Sequence, residues 1–275
     1  MNGMHVSVWL LVLSLSATTA WAGLTILGEP VQGGLLVAET TPGARVSVDG
    51  VEVRVSPQGA FLIGFGRDHE PTSRVEITYP DGSREQRQLS VARREYRIQR
   101  IDGLPQRKVS PRQADLERIR KEAAAIGRAR HRDDPRADFL SGWQWPVTGR
   151  ITGVYGSQRV LNGEPRRPHF GVDIAAPVGT PVRAPADGVV TFAHPDMFYS
   201  GATLVLDHGH RLSSSFLHLE KILVEEGQRV ARGEVIARVG ASGRVTGAHL
   251  DWRMNYHRQR VDPQGLVPPM PEPGR

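Results

Sequence analysis

Turn-forming residues set the main constraint on this chain. Thirty glycines and 20 prolines are spread through 275 residues. They cut most of it into short apolar runs that suit strands better than helices. Between residues 23 and 104 the runs cover 35–38, 45–48, 51–55, 61–65 and 75–79, separated by turn signals such as Gly33-Gly34, Pro42-Gly43 and Asp81-Gly82. Asp49-Gly50, between two Val-rich alternating runs, predicts a tight hairpin, because these residues tolerate the positive φ that such a turn needs. Regularly spaced short strands predict a small N-terminal β-sandwich over residues 23–104. No catalytic cluster lies in it, so it reads as a spacer or docking module.

Residues 105–139 break the pattern. Ser110-Pro111-Arg112-Gln113 places Ser at an N-cap, Pro at the first helical position and Gln at the third, in register for a capping box. Leu116, Ile119, Ala123 and Ile126 follow at helical spacing, predicting one connecting helix of about 18 residues that stops near Asp133-Asp134-Pro135. Residues 140–267 return to β, with strands expected at 188–193, 202–207, 212–219 and 235–239. Residues 268–275 form a Pro-rich tail. The fold class is therefore mainly β, with a helix joining two β-rich parts.

The first 22 residues read as an export signal. An apolar run at 6–17, short for a membrane span, leads into Ala20-Trp21-Ala22, the small-residue pattern of a cleavage site. The mature chain is expected outside the cytoplasm. That bears on the net charge of +6, which alone invites a nucleic-acid reading. The excess is local: residues 84–136 hold 16 basic and 8 acidic side chains. A nucleic-acid partner is not expected. The basic stretch is instead a candidate contact for an anionic wall or membrane surface.

The chain has no cysteine, which excludes disulfides, thiol catalysis and Cys-ligated metals. Any metal must be held by His and carboxylates. Seven of the ten histidines fall within 140–267: His169, His194, His208, His210, His218, His249 and His257. His169-Phe170-Gly171-Val172-Asp173 brings an imidazole and a carboxylate to one face of a strand. His249-Leu250-Asp251 does the same at i, i+2, and His218 is a third participant. Zinc accepts imidazole and carboxylate in a tetrahedral shell, and catalytic sites keep a position open for water. His208 and His210, beside Gly209, read as turn residues, and His257 as a surface histidine.

These motifs, in order, resemble the lysostaphin/LytM-type zinc metalloendopeptidases over about residues 143–262. The resemblance rests on Trp145-Pro146-Val147-Thr148-Gly149-Arg150, Arg167-Pro168-His169-Phe170-Gly171-Val172-Asp173, the Gly179–Val190 segment (179–190), Phe216-Leu217-His218-Leu219 and Gly247-Ala248-His249-Leu250-Asp251. It implies a LytM-like domain with a duplicated hybrid motif over 140–267. It implies that His169 and Asp173 are zinc ligands, and that His218 and His249 are catalytic: together they orient the water, accept its proton and stabilise the oxyanion. The third ligand position falls on Asp251, where the family usually has His. Two carboxylates cancel the formal charge of the ion, so a bound water should be acidified less than with one.

The expected function is hydrolysis of a peptide bond in peptidoglycan peptide stems by zinc-activated water, in the periplasm. The alternative is a catalytically inactive LytM-type factor that binds the wall and recruits or activates another hydrolase. A third reading, a biotinyl- or lipoyl-type carrier domain, comes from the segment 224–237. It lacks the hairpin lysine that such a domain modifies, since the nearest lysine, Lys221, precedes the segment.

Overall fold

The computed structural model describes residues 23–271. The expected export signal, residues 1–22, lies outside the described residues, as do residues 272–275 of the expected tail.

The first part is built from β1 (Thr25–Leu27), β2 (Leu35–Glu39), β3 (Arg45–Val48), β4 (Val51–Val53), β5 (Ala60–Gly64), β6 (Thr72–Thr78) and β7 (Arg84–Ser90). They form a three-stranded sheet, β1-β2-β5, and a four-stranded sheet, β4-β3-β6-β7, with every pairing antiparallel. The expected hairpin joins β3 to β4, with φ of 50° at Asp49 and 76° at Gly50. Strand β5, Ala-Phe-Leu-Ile-Gly, is buried along its whole length.

The chain then crosses to the second part. Strand β8 (Ile98–Ile101) runs parallel to β10 (Gln158–Leu161), which also pairs with β11 (Glu164–Pro165). Helix α1 (Gln106–Val109) is a single turn, and α2 (Gln113–Arg130) has 18 residues. The expected cap at Ser110 is corrected here. Ser110 instead closes α1, its N–H donating to the Gln106 carbonyl, and α2 begins three residues later with no side-chain cap. Pro111 accounts for the end of α1, because the residue before a proline is pushed out of the helical region. Ser110 is extended, with φ −126° and ψ 90°.

The large sheet contains β9 (Ile151–Gly153), β12 (Val172–Ala175), β13 (Pro181–Arg183), β14 (Gly188–Met197), β15 (Gly201–Asp207), β16 (Leu212–Ile222), β17 (Arg229–Val230), β18 (Val235–Val239), β19 (His249–Tyr256) and β20 (Gln259–Val261). Its main path is β17-β14-β15-β16-β19-β12-β9. Alternation along β19 sends Leu250, Trp252, Met254 and Tyr256 into the core. His249, Asp251 and Arg253 are thereby committed to the other face.

The two β-rich parts share one continuous apolar core, which includes Phe61 and Val75 of the first and Leu250 and Trp252 of the second. Tyr256 donates its hydroxyl hydrogen to the Leu62 carbonyl across the junction. Helix α2 is not a free connector. It lies on β14 and β15 and buries Ile126, Ala129 and Arg130.

Candidate metal centre

Strands β12 and β19 are antiparallel neighbours, and their register sets Asp173 directly opposite Asp251. Val172 and Ile174 flank Asp173 in β12 and are fully buried. That alternation turns Asp173 to the same face as Asp251. His169 lies just before β12, its peptide pinned by N–H donation to the Ser157 carbonyl and by acceptance from Gly156. Its Nε2 stands 3.1 Å from Asp173 Oδ1. Ligand atoms of His169, Asp173 and Asp251 all lie within 4.8 Å of one another, and all three residues are buried. Two glycines leave room for the carboxylates. A Cβ on Gly153 would stand 2.3 Å from Asp173 Oδ2, and one on Gly171 would stand 2.6 Å from Asp251 Oδ1.

His218 reaches this face through a bulge. Opposite β15 the register of β16 shifts between Ala202↔Leu219 and Leu204↔Phe216, and His218 takes a φ of 65°. A regular strand would send His218 to the face opposite Leu217. The bulge re-aims it, as bulges beside functional sites do. His218 Nδ1–H donates to the Ser242 carbonyl at 2.8 Å, and Nε2 points to Asp251 Oδ2 at 4.0 Å. His249 is arranged in the same way, with Nδ1 2.8 Å from the Gly247 carbonyl and Nε2 3.8 Å from Asp173 Oδ1. The two imidazole centroids are 4.9 Å apart. Anchoring Nδ1 on a carbonyl leaves Nε2 as the proton acceptor in the neutral ring. Burial lowers the His218 pKa to about 4.

The five residues singled out from the sequence are thus brought together. His257 is not. It sits in the turn that follows the far end of β19, six residues or about 20 Å of strand beyond Asp251. His208 and His210 flank a turn as expected, yet both are buried. His208 is held between the Asp187 carbonyl and the Ser214 hydroxyl.

Two residues that sequence reasoning missed complete the cluster. Arg253 Nε lies 2.9 Å from Asp251 Oδ1 and 3.1 Å from Oδ2, with Nη2 on Oδ2 at 2.5 Å. Arg159 Nη2 lies 2.6 Å from Asp173 Oδ2. The i, i+2 spacing of Asp251 and Arg253 was a usable signal. Arg159, which comes from another strand, carried none. Burial alone pushes the Asp251 carboxyl up, but Arg253, His169 and His218 outweigh it and hold the group well below the usual carboxylate range. For Asp173, too, burial raises the pKa, and His169 and Arg159 reverse the effect.

The donor set fits a tetrahedral cation. One imidazole and two carboxylates are an acceptable zinc shell, and two ligand atoms on one such ion stand about 3.3 Å apart. The 3.1 Å separation of His169 Nε2 and Asp173 Oδ1 is close to that. Among the described residues, neither ring nitrogen of His169 has a hydrogen-bond partner, nor does Asp173 Oδ1, although all are buried. Buried polar atoms left without partners are costly and call for an explanation, and a shared cation is one. Asp251 keeps a lone pair on Oδ1 beside the one used by Arg253.

Known proteins share this arrangement of sequence and fold. The family model described as Peptidase family M23 matches residues 167–263. The peptidoglycan DD-endopeptidase ShyA of Vibrio cholerae is 44% identical over 120 residues, covering 40% of this chain and 27% of that protein. The DD-carboxypeptidase/endopeptidase Mpg of Neisseria meningitidis is 42% identical over 106 residues, covering 38% and 24%. The chain thus spans about a quarter of the length of these curated relatives. A solved structure described as a putative peptidase M23 from Pseudomonas aeruginosa is similar over far more of the fold. It is 31% identical, with a TM-score of 0.67 over 87% of this chain and 96% of that one. That likeness takes in the N-terminal β part as well as the His- and Asp-bearing sheet, and with the match over both histidine motifs it establishes that this chain belongs to the M23 peptidase family.

Proposed function

We propose that the protein is a zinc-dependent peptidoglycan endopeptidase that cuts the D-alanyl–diaminopimelate cross-link between peptide stems. The observation that carries this reading is the convergence of His169, Asp173 and Asp251 with the Nε2 atoms of His218 and His249, inside a chain of the M23 family. The DD-endopeptidase names of relatives that match the same segment support the choice of bond.

His169, Asp173 and Asp251 hold the ion. Zinc supplies Lewis-acid polarisation and a nucleophile available at neutral pH. His218 and His249 do the proton work between them: one Nε2 accepts the proton of the attacking water, and the other steadies the developing oxyanion. Arg159 and Arg253 each pair with one of the two carboxylates and balance its charge when no metal is bound. They also return the positive charge that the second carboxylate removes. The export-signal pattern before residue 23 supports a periplasmic site of action.

A second reading, an inactive wall-binding factor, is favoured by the fork of Arg253 on Asp251, which draws that carboxylate's charge away from a metal. Mass spectrometry of muropeptides after digestion separates the two. The zinc-loaded protein should convert cross-linked dimers to monomers, and Asp173→Ala should abolish both zinc content and cleavage. Intact dimers after prolonged digestion by metal-loaded wild type would overturn the enzyme reading.

A further inference from the structure

Beside the metal cluster lies a cavity of about 340 Å³, walled by α2 on one side and by strands of the large sheet on the other. Five arginines line it: Arg130, Arg159, Arg167, Arg244 and Arg253. Arg159 pairs with Asp173 and Arg253 with Asp251, while Arg244 donates to the Lys108 carbonyl at 3.2 Å and lies over the Tyr199 ring. Among the described residues, no carboxylate comes within 4.0 Å of Arg130, Arg167 or Arg244. The acid in the lining, Glu122, is itself occupied by Arg118 and by the Phe198 N–H.

Arg130 is the sharpest case. It is only 8% exposed, and among the described residues its side chain has one hydrogen-bond partner, the Ser215 hydroxyl, 3.1 Å from Nε. Burial, and then the guanidinium groups of Arg260 and Arg253, push its pKa well down. Arg244 is lowered to about 10 by burial and by Arg159 and Arg253. A guanidinium does not release its proton, so this mutual repulsion is carried as unfavourable free energy. An anion in the cavity would relieve it. The rest of the lining combines an apolar stretch, Ile119, Ala123, Ile126, Met197 and Leu217, with Tyr199, Ser200 and His218. Arginines beside an apolar stretch suit a short aliphatic chain that ends in a carboxylate, which the stem peptides of the wall carry. They do not suit a strongly hydrated inorganic ion.

We infer that this arginine-lined cavity is a recognition site for an aliphatic carboxylate of the substrate peptide, adjoining the centre that cuts it. The inference rests on reading that centre as a peptidase. Charge-assisted and bidentate contacts from guanidinium groups are the strong way to read a carboxylate. His218 and Arg253 line the cavity and also touch the metal cluster, so a carboxylate held there fixes the peptide's position relative to the reacting bond.

The test is calorimetric binding of a synthetic stem tetrapeptide and of its fully amidated counterpart to the full zinc-loaded chain. The tetrapeptide contains no cross-link, so binding is read without turnover. Wild type should bind the free acid at least 10-fold more tightly than the amide. Arg244→Gln should bring the ratio below about 3. Arg130→Met should also erase it, while raising the thermal midpoint of the unliganded protein, because the residue it replaces is buried with no carboxylate in direct contact among the described residues. Equal affinity for the two peptides, no binding of either, or a preference that survives in the Arg130→Met, Arg244→Gln double variant would overturn the inference. Muropeptide cleavage is scored separately. Preference without cleavage removes the peptidase reading and leaves the cavity assigned; cleavage without preference does the reverse.

Discussion

Arg253 and Asp251, two residues apart on one strand, form a forked ion pair against the metal cluster, with three N···O contacts between 2.5 and 3.1 Å. Asp251 has no exposed surface. Removing one partner of such a pair leaves an uncompensated buried charge, at a cost of about 3 kcal/mol. Arg253→Gln should therefore lower the thermal midpoint of the metal-free protein. Zinc supplies the missing positive charge, so the midpoint shift on adding zinc should be larger in the variant than in wild type. Paired melting curves in chelator and in zinc decide this, and an equal or smaller shift would contradict it.

Substitution of Asp251 itself separates ligation from charge balance. Asp251→His restores a neutral nitrogen ligand and should retain zinc. Asp251→Ala should weaken zinc binding by more than about 100-fold, beyond the usual effect of losing a residue that merely supports a ligand. Both changes strand Arg253, so both should melt below wild type when metal-free. Zinc content after dialysis is the measurement. Unchanged content in Asp251→Ala would exclude Asp251 as a ligand.

Gly153 acts at one remove. A Cβ there would stand 2.3 Å from Asp173 Oδ2 and 2.9 Å from Cγ. Gly153→Ala should push that carboxylate off its position opposite Asp251. Overpacking of this kind costs about 1–3 kcal/mol, so the fold should survive while zinc stoichiometry falls. Retention of full zinc stoichiometry would show that the carboxylate has more room than the backbone implies.

Stability should depend on pH through His208. Burial lowers its pKa to about 4 from an ordinary value of 6.5. Between those two values the unfolded chain binds a proton that the folded chain refuses, so stability rises with pH across this window and is lost as pH falls through it. Going from pH 7 to pH 5, His208 alone should cost about 2 kcal/mol. Urea unfolding at the two pH values, for wild type and His208→Gln, should show a smaller pH difference in the variant. An identical difference would mean that other groups set the slope.

Much of the fold was legible because its cause was local. Alternating apolar residues and turn dipeptides mark β2 to β6, and the Asp49-Gly50 hairpin follows from two residues that tolerate positive φ. The five residues of the candidate site were legible as two motifs and one isolated histidine. The rest depended on distance in space. Ser110 looked like a helix cap until α1, a single turn, claimed it. The route of His218 into the site depends on a bulge set by its pairing with β15, which no residue near 218 announces. Arg159 meets Asp173 only because β10 is threaded beside β8 and the start of the large sheet. The helical pattern of α2 does not single out Arg130, which is buried because the helix is pressed onto β14 and β15.

The core shared by the two β-rich parts has its own consequence. Phe61 and Trp252 belong to one apolar body, and the Tyr256 hydroxyl is tied to the Leu62 carbonyl within it. Parts joined in this way should unfold together, as a single endotherm rather than two. Severing the N-terminal strands would expose the Tyr256 end of β19, the strand that also holds Asp251 and His249. Removing the N-terminal strands should therefore lower the thermal midpoint of the sheet that carries the candidate metal centre, through a core that lies outside the histidine motifs.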